Sequence, residues 1–119
     1  MKNFEAQVVE KKGDYARVEL KGFLDAHTVE EFDKAMRTIM EEGIKRVALG
    51  MEGLSYISSP GIGSIVSFTQ RCKKENGELV LFCPNKKIYE ILEVLGFSSI
   101  FRIADTTDQI KEILALEQK

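Results

Sequence analysis

Arg46-Val47-Ala48-Leu49, then Ser59-Pro60-Gly61-Ile62-Gly63, then Leu79-Val80-Leu81-Phe82: these three segments decide the fold. The first and third are short, continuous apolar runs, the pattern of strands covered on both faces. Between them, Pro60 falls where the first turn of a helix tolerates it, because its missing N–H is one of the donors a helix start leaves unpaired. Ser59 then reads as the N-cap, and Ile62, Ile65, Val66, Thr69 and Cys72 follow at helical spacing up to the stop signal Asn76-Gly77. A buried strand, a helix and a second buried strand with short connections make a right-handed βαβ unit with parallel strands.

On the N-terminal side, the alternating stretches Glu5 to Lys11 and Tyr15 to Lys21 flank the turn signal Gly13-Asp14 and read as a β-hairpin. Thr28-Val29-Glu30-Glu31 matches a capping box; the helix it starts carries Val29, Phe32, Met36, Ile39 and Met40 on one face and stops at Gly43. On the C-terminal side, Pro84-Asn85 leads into a helix with Ile88, Ile91, Leu92 and Leu95 inward and Gly96 at its end. Ile100 to Ile103 reads as a short strand, and Thr106-Thr107-Asp108-Gln109 as a second capping box before Ile110, Ile113 and Leu114. Phe97 and Phe101, with Leu95 and Ile100 nearby, read as core. The order ββαβαβαβα predicts an α/β fold, a mixed and mostly parallel sheet with helices, and residues 1–119 read as a single domain.

With 119 residues and 44% hydrophobic content, the chain fills one core without metals or crosslinks. Lys and Arg total 17 against 19 Asp and Glu, a net charge of −2 with both signs interspersed, which argues against nucleic acid as a partner. Cys72 and Cys83 have no CxxC spacing and His27 is the only histidine, so neither a redox motif nor a zinc site is supported and no cofactor is expected. Met1-Lys2-Asn3-Phe4-Glu5 carries no apolar signal segment, and no apolar run has the length of a membrane span. Together with free cysteine, this predicts a cytoplasmic protein without membrane insertion.

In open α/β sheets, ligands and partners gather at the carboxyl ends of the strands. Three loops are expected there: Gly22 to Thr28, Gly50 to Gly61, and Cys83-Pro84-Asn85. The helix start at Ser59-Pro60-Gly61 offers an anion free N–H groups and a positive dipole end, and the same residues are also what ordinary capping demands. Gly61-Ile62-Gly63 lacks both the lysine of a P-loop and the third glycine of a dinucleotide fingerprint. Gly50 stands where a phosphorylated receiver domain needs its aspartate, and no acidic pair follows the first strand to hold magnesium. His27 reads as solvent-facing or capping and Asp25 as an Asx turn, so no enzyme chemistry is expected. Lys73-Lys74-Glu75 and Lys86-Lys87 read as solvated faces.

Together these segments resemble the STAS domain of bacterial anti-sigma factor antagonists over nearly the whole chain. Gly22-Phe23-Leu24-Asp25 with Thr28 is similar to the G-x-L-D-x-x-T lead into its first helix. Leu54-Ser55-Tyr56-Ile57-Ser58-Ser59 followed by Gly61-Ile62-Gly63 is similar to its serine loop, and Leu79-Val80-Leu81 with Leu92 to Ile103 to its C-terminal half. The resemblance implies a serine at the start of the second helix that is phosphorylated by an anti-sigma factor, itself an ATP-dependent serine kinase, and dephosphorylated by a PP2C-type phosphatase. The unphosphorylated form then binds the anti-sigma factor and frees a sigma factor. Alignment on the D-S-S/T-G-L-G pattern puts Ser59 on the phosphorylated serine, with Ser58 as the alternative acceptor. Ser58 stands where the pattern has Asp, Pro60 follows the acceptor, and Gly50 replaces the Asp or Asn often found at that strand end. The implied partner surface comprises Leu24, Asp25, Thr28, Tyr56, Ile57, Ser58, Pro60, Gly61, Ile62 and Gly63. STAS domains also serve as subunits of transporters and stress-signalling complexes without phosphorylation, the alternative function here. An unrecognised enzyme or small-ligand binder on this fold is a third.

Overall fold

The computed structural model describes residues 3–82 and 84–116. Its elements are β1 (Phe4–Lys12), β2 (Tyr15–Leu24), α1 (Val29–Glu41), β3 (Arg46–Ile57), α2 (Ser59–Lys74), β4 (Glu78–Phe82), α3 (Lys86–Val94), β5 (Ile103–Ala104) and α4 (Thr107–Ile113), the expected order. The strands form one five-stranded sheet in chain order, β1-β2-β3-β4-β5. Only the β1–β2 hairpin is antiparallel; every later neighbour is parallel, as βαβ crossovers require.

Alternation along the central strands divides the apolar residues between two faces. Val18 and Leu20 of β2, Val47 and Leu49 of β3, and Leu79 and Leu81 of β4 pack under α1, α2 and α3. Tyr15, Ala48, Val80 and Ala104 point the other way and meet Ile110 and Leu114 of α4. Arg46 ties the start of β3 to both ends of this second layer: its guanidinium donates to Asp14 Oδ1 at 2.6 and 2.8 Å and to the carbonyls of Leu114 and Ala115 at 3.0 Å.

The local signals hold where they are local. Gly13 takes the hairpin turn with φ +59°. Helices α1, α2 and α3 end in Schellman closures at Gly43, Asn76 and Gly96, all with positive φ. Thr106 and Gln109 form both bonds of the expected capping box.

Six expectations need correction. Strand β2 runs to Leu24 and β3 to Ile57, well past Lys21 and Leu49, because the parallel ladder continues through Lys21–Gly53, Gly22–Leu54, Phe23–Tyr56 and Leu24–Ile57. The expected loop from Gly50 to Gly61 is therefore largely strand, and the one from Gly22 to Thr28 begins as strand through Leu24. Gly50 and Gly53, which mimic turn signals, are sheet residues: the Glu19 carboxylate lies where a Cβ at Gly50 would stand, and Lys21 crosses Gly53. Strand β5 is only Ile103–Ala104, with Ile100 in the preceding turn and 58% exposed. Leu95 is 43% exposed, so neither Leu95 nor Ile100 belongs to the core that Phe101 joins. The inner stripe of α2 uses Phe68, edge-to-face on Phe32 at 6.3 Å, rather than Thr69. Finally, the Thr28–Glu31 capping box does not form, and the N-cap of α2 is Ser58, not Ser59. The expected strand-end cysteine, Cys83, and the first residues Met1-Lys2 lie outside the described residues.

Candidate functional site

The parallel ends of β2 and β3 carry the serine loop. Leu24 and Ile57 are register partners and both are fully buried. Just beyond, Ser58 N–H donates to the Leu24 carbonyl at 2.9 Å, pinning the turn into α2 against the end of β2. Ser58 is extended (φ −99°, ψ 171°), and its Oγ accepts from Gly61 N–H at 3.4 Å. This is N-cap geometry, with Pro60 in the second helical position. Asp and Ser are both strong caps, so Ser58 keeps a capping role where the family pattern has Asp.

Ser59 is the first helical residue and is exposed, as is Pro60. Gly61 and Ile62 turn inward. A Cβ at Gly61 would stand 2.7 Å from the Leu24 carbonyl oxygen and 2.9 Å from Leu24 Cγ. The helix start is thus pressed onto β2 at Gly61, which leaves Ser59 and Pro60 on the rim.

The neighbouring start of α1 uses its polar groups differently. Asp25 Oδ1 accepts from His27 N–H at 2.9 Å and Thr28 N–H at 3.2 Å, the expected Asx turn, and His27 is exposed. The buried Thr28 hydroxyl donates to the Phe23 carbonyl at 2.7 Å and accepts from Asp25 N–H at 3.0 Å. Its bonds thus go back to the strand end, which explains the missing capping box.

On the other side of the loop stands α3, whose N-cap Asn85 holds it to β3. Asn85 Oδ1 accepts from Ile88 N–H at 2.9 Å, and Nδ2 donates to the carbonyls of Met51, Glu52 and Leu54 at 2.9 to 3.3 Å. Between α3 and the serine loop runs a mostly apolar groove of about 440 Å³, in which Tyr56, Ile91, Val94 and Leu95 meet Ser58 and Ser59. Val94 is 84% exposed and Tyr56 42%. Exposed apolar side chains gathered beside a polar hydroxyl are the composition of a docking surface.

Of the residues assigned to the partner surface, Tyr56, Pro60 and Gly63 are exposed, and Asp25 and Ser58 are half-buried. Leu24, Ile57 and Ile62 are fully buried, and Thr28 and Gly61 are buried too. These five lie beneath the surface. Sequence reading missed Val94 and the outward position of Leu95. A signal existed, since α3 carries Tyr89 and Val94 in addition to one complete inward stripe.

Cys72 lies at the far end of α2; burial, aided by the Glu78 charge, pushes its thiol up to about 12, so it stays protonated and unreactive. Burial and the bond to Glu10 push the Tyr15 hydroxyl up as well. Among the described residues, no group of three His, Cys, Asp or Glu side chains is placed to hold a metal ion, and no helix is long and apolar enough to cross a membrane.

BtrV of Bordetella bronchiseptica is 29% identical over 75% of this chain and 77% of its own. The anti-sigma-B factor antagonist of Staphylococcus aureus is 23% identical over 79% of this chain and 87% of its own. Among solved structures, the anti-sigma factor antagonist SpoIIAA in its unphosphorylated form superposes with TM-score 0.73 at 20% identity, covering 92% of this chain and 95% of that one. Its phosphorylated form superposes with TM-score 0.65 at 21% identity, covering 92% and 98%. These likenesses agree in the five-stranded sheet and the four helices. With residues 6–110 matching the STAS domain, the chain belongs to the STAS domain family.

Proposed function

We propose that this chain is an anti-sigma factor antagonist, a binding module of the cytoplasm rather than an enzyme, switched by phosphorylation of Ser59. One observation carries the choice of acceptor: the two adjacent hydroxyls have different duties. Ser58 Oγ is engaged by the Gly61 N–H, whereas Ser59 is exposed on the rim beside the Tyr56–Val94 groove. The names of the relatives support the class of function, and SpoIIAA exists in both phosphorylation states.

In the neutral state the partner, an anti-sigma factor with serine kinase activity, docks on the groove and the exposed helix start and so releases its sigma factor. Transfer then forms a bond between Ser59 Oγ and the γ-phosphorus of ATP and breaks the bond to the β-phosphate oxygen. ADP leaves, and the hydroxyl proton passes to a base on the kinase. The phosphoserine brings about −1.5 to −2 charges to the helix N-terminus, where the dipole stabilises it, and repels a partner fitted to a neutral loop. A PP2C-type phosphatase resets the switch by hydrolysis.

The test is incubation of the purified chain with the kinase-type anti-sigma factors encoded in the same genome and ATP, followed by phosphosite mapping. Phosphate on Ser59, lost in Ser59→Ala and retained in Ser58→Ala, supports the reading. Phosphate that survives Ser59→Ala moves the acceptor, and none with any candidate kinase overturns the switch.

A further inference from the structure

On the side of α2 away from the apolar groove, a second groove of about 390 Å³ runs between α1 and α2. Pro60, the neighbour of Ser59, closes one end; Gly63 and Ser67 line it with small side chains, and Arg37 and Arg71 stand along it. We propose that this groove receives an acidic segment of a protein partner. The identity of that partner as the kinase rests on the function proposed above; the chemistry of the groove does not.

Three features point to an acidic ligand. First, Arg37 and Arg71 are exposed and uncommitted: the ion pairs among the described residues are Lys11–Glu42, Arg46–Asp14 and Arg102–Glu78. A guanidinium presents a planar fork that takes a carboxylate in two parallel hydrogen bonds. Second, the sign is local. The chain as a whole carries −2, yet the groove has two arginines against one carboxylate, Asp33. That carboxylate, together with the absence of any longer basic row in the groove, disfavours a polyanion such as nucleic acid and suits a short peptide with a few acids. Third, Gly63 has no reason within its own chain to be glycine. A Cβ there meets nothing within 4 Å, in contrast to Gly61, and glycine within a helix is destabilising relative to alanine. An open floor between two guanidinium groups, continuous through Pro60 with the rim that bears Ser59, lets a partner backbone come close enough for its carboxylates to reach both.

The experiment places a photo-crosslinking p-benzoylphenylalanine at Ser67 or, separately, at Tyr56 in the full chain, expressed in its own host, and maps the adducts by mass spectrometry. The expected result is a Ser67 adduct within a segment rich in Asp and Glu, reduced about tenfold or more by Arg37→Glu/Arg71→Glu and likewise by Arg37→Gln/Arg71→Gln. Both pairs are exposed, and an unchanged melting curve confirms that each variant is folded. No adduct at Ser67, an adduct in a segment without acids, or one indifferent to both charge changes overturns the inference. The two readings separate cleanly. A kinase captured from Tyr56 alone keeps the serine-loop function and removes the acidic groove; a charge-dependent acidic adduct at Ser67 on a protein that neither labels from Tyr56 nor phosphorylates Ser59 does the reverse.

Discussion

The starts of α1 and α2 follow strands that lie side by side, with Leu24 opposite Ile57, yet they handle their polar groups in opposite ways. Before α1, the Asp25 carboxylate and the Thr28 hydroxyl are both committed to nearby backbone, and Thr28 is buried. Before α2, Ser58 alone does the capping and Ser59 is left over at the surface. Two side chains satisfy the turn into α1 and one satisfies the turn into α2, which leaves the Ser59 side chain at the surface without a capping duty.

Substitutions can break this contrast, with expected effects that fall in a definite order in urea denaturation. Gly61→Val drives a side chain into the Leu24 carbonyl and should cost about 3 kcal/mol or more, with any binding loss following from the damaged fold rather than from a lost contact. Thr28→Val leaves the Phe23 carbonyl and the Asp25 N–H without their partner and should cost about 2 kcal/mol. Ser58→Ala removes a cap and should cost about 1 kcal/mol. Gly63→Ala should change stability by a similar amount in the opposite direction, since the added methyl meets open space and raises helix propensity. Ser59→Ala should shift stability least, by under about 0.5 kcal/mol, while abolishing phosphate transfer. A Ser59→Ala loss equal to that of Ser58→Ala would mean that the two hydroxyls share the capping role, and the contrast would collapse.

The element order was legible because its markers act over a few residues. Gly13, Gly43 and Gly96 stop or turn the chain by their own backbone freedom, and Thr106 finds Gln109 within one helical turn. The length of β3 was not legible, since Gly50 pairs with Glu19 on the adjacent strand, a relation invisible along the chain. The capping box at Thr28 misled because its hydroxyl donates to the carbonyl of Phe23, at the end of β2, and makes no bond to the helix start. The N-cap reading of Ser59, drawn from Pro60, missed by one position, because Ser58 is the residue that caps α2. The groove beside the serine loop depends on how α3 lies over β3, which the surplus apolar residues Tyr89 and Val94 of α3 do not by themselves reveal.

Asn85 has a kinetic consequence. Its amide oxygen caps α3 while its nitrogen reaches three carbonyls of β3, so the strand that presents Tyr56 and the helix that presents Val94 are fastened by one side chain. The two walls of the groove are held in place before any partner arrives. Little ordering entropy is then lost on association, and encounter with a partner that fits the groove should proceed as rigid docking limited by orientation, with a rate constant of about 10⁵ to 10⁷ M⁻¹s⁻¹, so that affinity is set mainly by the lifetime of the complex.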